Sequence, residues 1–278
     1  MRGKASPLLR HGLNIVVTLL MIYPLLWMFS SSFKQPQHIF TDTGLWSDAF
    51  TLDNYILGWK GLTSVTFATF FKNSFVVSGL SIIGNLLSCS MAAYAFARLQ
   101  FRLKTLLFGL MLLTMMLPHH VTMIPQYIIF NKLEWVNTFL PLIVPKFTAT
   151  DGFFIFLMIQ FIRNIPAELD QAATMDGCGA IQIYWRLILP LALPALVTTA
   201  IFTFIWTWND FLGQILYLSD IKQYTVSLGL RTFLDSQGDS QWGRLFAMST
   251  LSLVPVFAIF IFFQKYLIEG ITSGGVKG

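Results

Sequence analysis

The chain has 278 residues, of which 55% are hydrophobic and only 11% charged, with a net charge of +5 and a mean hydropathy of +0.66. A soluble domain carries about 25% Asp, Glu, Lys and Arg, so this composition excludes a soluble enzyme and makes lipid the solvent. The basic excess fits the flanks of membrane spans and does not indicate nucleic acid.

Six apolar segments follow one another, so the expected fold is all-α: one polytopic membrane domain over residues 1–278. A span needs about 20 apolar residues. The first segment, 13–33, lies behind Arg2, Lys4 and Arg10. A signal peptide is the rival reading, with Ser30-Ser31-Ser32 resembling a cleavage region. The segment is longer than the roughly 7–15 apolar residues of such a leader and contains Tyr23, Pro24 and Trp27, so it reads as a retained span. A polar loop with Pro36, Asp42, Asp48 and Asp53 follows, over 34–66.

The second segment, 73–97, carries Ser74, Ser78, Gly79, Ser81, Gly84, Ser88 and Ser90. Small residues four apart let helix backbones approach closely, so this stripe predicts packing. The third, 103–124, contains Pro118 near its end and is followed by Pro125, which should bend or end its outer half. The fourth covers 138–162, the fifth 191–216, and the sixth 245–267 with Pro255 near its middle.

Arg98, Arg102 and Lys104 stand without an acid in the short link between the second and third spans. That marks the link as cytoplasmic. Both termini and the 163–190 loop then lie inside, and the 34–66 and 217–243 loops outside.

The 163–190 loop is the most structured of the connections. Pro166, Glu168 and Asp170 open a helix, with the acids near its positive end. Gly177 permits the reversal that ends it. A second helical pattern runs over 180–189, with Ile181, Tyr184, Trp185 and Ile188 at three-and-four spacing. Pro190 and Pro194 lead into the fifth span. Two short helices at an angle make a rigid knob.

This loop resembles the EAA motif of binding-protein-dependent ABC importers: Glu-Ala-Ala, three residues, Gly, nine residues, Ile, one residue, Leu-Pro. Ala172-Ala173, Gly177, Leu189 and Pro190 stand at matching positions, as does the Asp176-Gly177 pair. Leu187 replaces the Ile, and Gln171 replaces the leading Glu, with Glu168 and Asp170 close by to supply charge. Ser31-Ser32-Phe33-Lys34, Leu52-Asp53-Asn54-Tyr55, Asn73-Ser74, Tyr94-Ala95-Phe96-Ala97-Arg98 and Trp208-Asn209-Asp210-Phe211 are similar to the carbohydrate-uptake branch. The tail from Glu269 to Gly278 is similar to that of its maltose-type shorter permeases.

The resemblance implies a type I importer permease of a bacterial or archaeal cytoplasmic membrane, not itself an enzyme. A homologous second permease would complete the translocation path, and an external or periplasmic solute-binding protein would deliver a carbohydrate. Two ATPase subunits would hold ATP and Mg; this chain would bind no cofactor. Glu168, Asp170, Gln171, Ala172, Ala173, Asp176, Gly177, Leu189 and Pro190 would form the ATPase-coupling loop. Gly274, Gly275 and Lys277 in the tail would also touch the ATPase.

Ionisable groups inside a span usually face a cavity or a partner. Lys146 and Asp151 fall in the fourth segment. Their five-residue offset makes direct pairing along one helix poor; Lys146 either faces a cavity or lies among the headgroups ahead of a helix that starts late, and Asp151 is the better cavity candidate. Asn85 and Asn14 read as hydrogen-bonding links between helices. Trp206, Trp208, Asn209 and Asp210, at the outer end of the fifth span, are either interfacial belt or path-lining residues. Sugars stack on aromatic faces while polar neighbours bond their hydroxyls.

Cys89 and Cys178 read as free thiols, and His119-His120 has no acid near it, so no metal site is expected. A permease for glycerol phosphate is the alternative within the family. An ion-coupled secondary transporter is disfavoured because no two halves match and only Asp151 offers a relay. An intramembrane enzyme is disfavoured by the lack of a catalytic constellation.

Overall fold

In a computed structural model the chain is built from helices, with one isolated antiparallel bridge, Lys34 to Phe50, and no strand among the described residues. The structure describes residues 7–47, 50–61, 65–234 and 240–272. It divides into two compact units, Met1–Ala68 with Gly229–Val254, and Thr69–Leu228 with Pro255–Gly278.

The first unit holds α1 (Pro7–Ser31), α2 (Asp53–Lys60) and the start of the last long helix. Large apolar side chains of α1 from Leu13 to Phe29 stand exposed. A helix bare and apolar on every face requires lipid or another chain around it. Below it the chain turns around Lys34, which is 1% exposed. Its ammonium donates to the carbonyls of Asp42 and Gly44 at 2.7 and 2.5 Å, with the Asp42 carboxylate 4.0 Å away. A buried ammonium is tolerated only with such partners. Asn54 fastens the same turn by donating to the carbonyls of Ser32 and Lys34.

The second unit takes in α3 (Phe67–Arg98) from Thr69 onward, a helix that starts earlier than the sequence pattern suggested. The expected third span is two helices, α4 (Lys104–Met116) and α5 (His119–Lys132), bent by 106°. Pro118 causes the break, because the residue before a proline is driven out of the helical region and Leu117 is extended. Pro125 does not end the helix and remains inside α5.

The fourth expected span is also broken. α6 (Leu140–Ile143) runs into a 3-10 turn, Val144–Thr148, and the helix resumes only at α7 (Gly152–Asn164). Pro141 and Pro145 lack donors, and Ala149 takes a left-handed φ of 55°. After α8 (Glu168–Met175), α9 (Ala180–Ile183) and α10 (Leu189–Leu191), the fifth span α11 covers only Leu193–Asn209. Asp210 is extended there, and α12 (Leu212–Tyr217) follows as a separate turn, ahead of α13 (Val226–Arg231) and α14 (Trp242–Thr272). Among the described residues four helices are long and apolar enough to cross a membrane, or up to six if each of two bent pairs is one span.

The small-residue stripe of α3 packs as expected at its centre. A Cβ on Gly84 would lie 2.7 Å from the Phe147 ring and 3.0 Å from the Lys146 backbone, so only glycine admits the broken segment here. Ser88 donates to the Lys146 carbonyl at 2.7 Å, and Ser74 accepts from the Val226 amide at 2.8 Å.

Candidate functional site

Two places bring the sequence-predicted residues together. The first is the 163–190 loop. α8 opens after Pro166 with Glu168 and Asp170 in its first turn. It closes with the Cys178 amide donating to the Ala173 carbonyl at 2.9 Å and the Gly177 amide to the Thr174 carbonyl at 3.0 Å. This pair of bonds is the Schellman arrangement, which needs a left-handed residue between helix and exit. Gly177 supplies it, with φ 82°. No atom lies within 4 Å of where its Cβ would be, so the requirement is conformational and not steric. Gly179 then caps α9, its amide donating to Gln182 Oε1 at 3.0 Å. The helix continues through a π turn, Tyr184–Ile188, into α10, and bends by 76° into α11 near Ala192.

The knob is fixed from below. Arg98 at the end of α3 stands 2.9 Å from the Asp170 carboxylate and donates to the Ile165 carbonyl at 2.6 Å. The Tyr94 hydroxyl donates to the Ala180 carbonyl at 3.1 Å, and the Ser90 and Tyr184 hydroxyls share a bond of 2.7 Å. Ile155, Ile159 and Ile162 of α7 join Ile183, Tyr184 and Ile188 in one buried cluster. Arg98 figured in the sequence as a topological charge and as the end of the Tyr94–Arg98 motif; nothing in the spacing announces its pairing with Asp170.

The outward side is different. Glu168, Gln171, Ala172, Asp176, Gly177 and Pro190 are exposed, whereas Asp170, Ala173 and Leu189 are partly covered. Asp170 therefore faces Arg98, and Glu168 is the freer acid. Leu169, Met175 (89% exposed), Ile181 and Trp185 add an apolar surface. The tail residues Gly274, Gly275 and Lys277 lie outside the described residues.

The second place is a groove of about 960 Å3 in the second unit, lined by Lys146, Asp151, Trp206 and Asp210 among others. Lys146 and Asp151, for which the spacing made pairing along one helix poor, do pair: Nζ and Oδ2 are 2.8 Å apart. The five-residue offset is no obstacle because the helix is broken between them at Ala149. Asn85 of α3 donates to the same Oδ2 at 2.7 Å and to the Thr203 hydroxyl of α11 at 3.0 Å, a link between helices as expected. Trp206 is 50% exposed and packs on Phe153, Phe154 and Phe202.

Trp208 and Asn209 do not join this group. Trp208 is 2% exposed, wedged among Phe71, Phe75 and Phe204, because its place on α11 faces α3. The Asn209 side chain folds back to the Ile205 carbonyl at 2.8 Å.

A profile of the binding-protein-dependent transport system inner membrane component family matches residues 84–273. The chain belongs to that family. It is 34% identical to the arabinooligosaccharides transport system permease protein AraQ of Halalkalibacterium halodurans, over 100% of both chains. It is 31% identical to the trehalose/maltose transport system permease protein MalG of Thermococcus litoralis, over 95% of this chain and 94% of the relative. A solved bacterial ABC transporter involved in alginate import shares the fold, with a TM-score of 0.82 at 21% identity, covering 93% of this chain and 95% of the other. This permease is thus a multi-pass membrane protein of a transport system.

Proposed function

We propose that this permease is one half of the translocation path of an ATP-driven carbohydrate importer. A second, homologous permease forms the other half, and an external binding protein delivers the sugar. Two partner ATPases bind ATP and Mg, and the 163–190 knob seats in one of them. Six spans cross the cytoplasmic membrane, each bent pair counting once, with both termini inside.

The observation that carries this reading is a stiff helix–Gly177–helix knob, anchored by Arg98, Tyr94 and the isoleucine cluster, with an apolar tip left bare. Such an element moves as one body, so closure of a partner is transmitted to α3, α7 and α11 rather than absorbed. The bare α1 supports a neighbouring permease or lipid around it. The names of the AraQ and MalG relatives support carbohydrate as cargo.

Affinity purification of this chain from its native membrane tests the assembly. An ATPase and a second permease should co-purify, and proteoliposomes given the binding protein should accumulate sugar only with ATP inside the partner's reach. An isolated chain, or uptake driven by an ion gradient, would contradict the reading.

A further inference from the structure

Asp151 occupies the N-cap position of α7, yet its side chain makes no cap bond. N-cap aspartates ordinarily accept from the first turn of their helix, worth about 1 kcal/mol. Here the carboxylate turns away, toward Lys146 and Asn85, and both bonds fall on Oδ2. Oδ1 has no partner among the described residues and is not sealed off, since it is absent from the buried unbonded atoms. The Lys146 ammonium makes one side-chain bond and has two further N–H donors to offer. Both residues line the 960 Å3 groove, as does Trp206. A local rule broken beside a cavity marks a place where something other than stability is served.

The chemistry of this arrangement is specific. One acceptor, Asp151 Oδ1, and one donor, Lys146 Nζ, held side by side by the 2.8 Å Nζ–Oδ2 ion pair, match adjacent hydroxyls of a sugar ring. One hydroxyl donates to Asp151 Oδ1 while its neighbour accepts from Lys146 Nζ. The half-exposed Trp206 offers an aromatic face to the C–H side of the same ring. The charges exclude the anionic members of the carbohydrate class. Lys146 is paired with Asp151, Asp210 adds a second acid to the lining, and the described lining contains no arginine. Phosphates and carboxylates are ordinarily held by arginine forks, lysine point charges or free helix N-termini, and Lys146 is already matched by Asp151. The N-terminus of α7 does open on the groove, but the Asp151 charge already stands there.

We infer that the Lys146–Asp151 pair is a hydroxyl-binding subsite for neutral sugars, selecting against phosphorylated or uronic acid substrates. This rests on the carbohydrate-importer reading above and adds residues and a charge class to it. Asp151 and Lys146 would touch the passing sugar, while Asn85, held to Thr203, is a positioning residue that keeps Oδ2 occupied and Oδ1 free.

The test uses the complete importer in proteoliposomes, with its binding protein, and measures ATP-driven uptake of defined probes. The neutral probes are arabinotriose, maltotriose and diacetylchitobiose; the anionic ones are sn-glycerol 3-phosphate and an alginate trisaccharide. The wild type should import a neutral probe and neither anionic one. Asp151→Asn and Lys146→Met should each lower that uptake at least tenfold, with Lys146→Arg keeping at least half of it. Assembly and ATPase stimulation by the loaded binding protein should stay within twofold of wild type. Uptake of a neutral probe at wild-type rate in both variants would overturn the subsite and leave the importer reading standing. Uptake of an anionic probe by the wild type would overturn the charge class. Loss of assembly in both variants and in Lys146→Arg would make the pair a structural strap and overturn the subsite. Failure of the wild type to import any probe would instead overturn the carbohydrate reading itself.

Discussion

Arg98, the last residue of α3, lies 2.9 Å from the carboxylate of Asp170 in the first turn of α8. The pair joins a membrane helix to the knob, and both side chains are largely withdrawn from water. Removing one partner of such a pair leaves the other charge unpaired, at a cost of about 2–4 kcal/mol. Arg98→Ala should loosen the knob by that amount and reduce ATPase retention on purification. Arg98→Met combined with Asp170→Leu should recover more than half of it, because apolar replacement of both partners is nearly neutral. Equal retention in the single variant and wild type would remove the pair from the anchoring account.

Gly177 holds φ 82° in open space. A β-branched residue is strained there by about 1–2 kcal/mol or more, whereas asparagine tolerates this region. Gly177→Asn should keep most transport, and Gly177→Val should lose it with the spans still inserted. The comparison is made by uptake in cells expressing equal amounts of each variant.

Gly84 and Gly79 form a matched pair on α3. A Cβ at Gly84 would collide with the Phe147 ring and Lys146 backbone, while one at Gly79 meets nothing within 4 Å. Replacing a helical glycine by alanine gains about 0.5–1 kcal/mol, and overpacking costs about 1–3 kcal/mol. Gly84→Ala should therefore lower Tm in detergent and Gly79→Ala should hold or raise it.

The Gly44 amide, then the Ser47 hydroxyl and the nearby Lys34, hold the Asp42 carboxyl below its usual range. A carboxyl with a depressed native value lends stability that is complete above the unfolded value of about 3.9 and lost as pH falls through the native one. Hydrogen-exchange protection of the 34–47 turn, corrected for intrinsic rates, should be flat from pH 7 to 5 and fall only below about pH 4. Asp42→Asn should flatten that fall.

The helical membrane class, the Gly177 turn and the order of apolar segments were legible because each follows from local chemistry: apolar runs, a proline start, a glycine stop. The breaks were less so. Pro118 announced its bend, but Pro125 carried the same signal and the helix absorbed it. Lys146 and Asp151 were judged on an unbroken helix, and the left-handed Ala149 between them has no sequence signature. Trp208 and Trp206 are two residues apart on α11, so they face different sides, and only the packing of Phe71 and Phe75 decides which one is buried.

The central claim is that the exposed tip of the knob seats in a partner ATPase. A photo-crosslinking residue placed at Met175 or at Ile181 in the assembled importer tests it directly. Illumination should give a covalent product of this chain with the ATPase from both positions, and none from the same residue at Leu45 in the 34–66 loop. Products with the ATPase from position 45 and none from 175 or 181 would contradict the account.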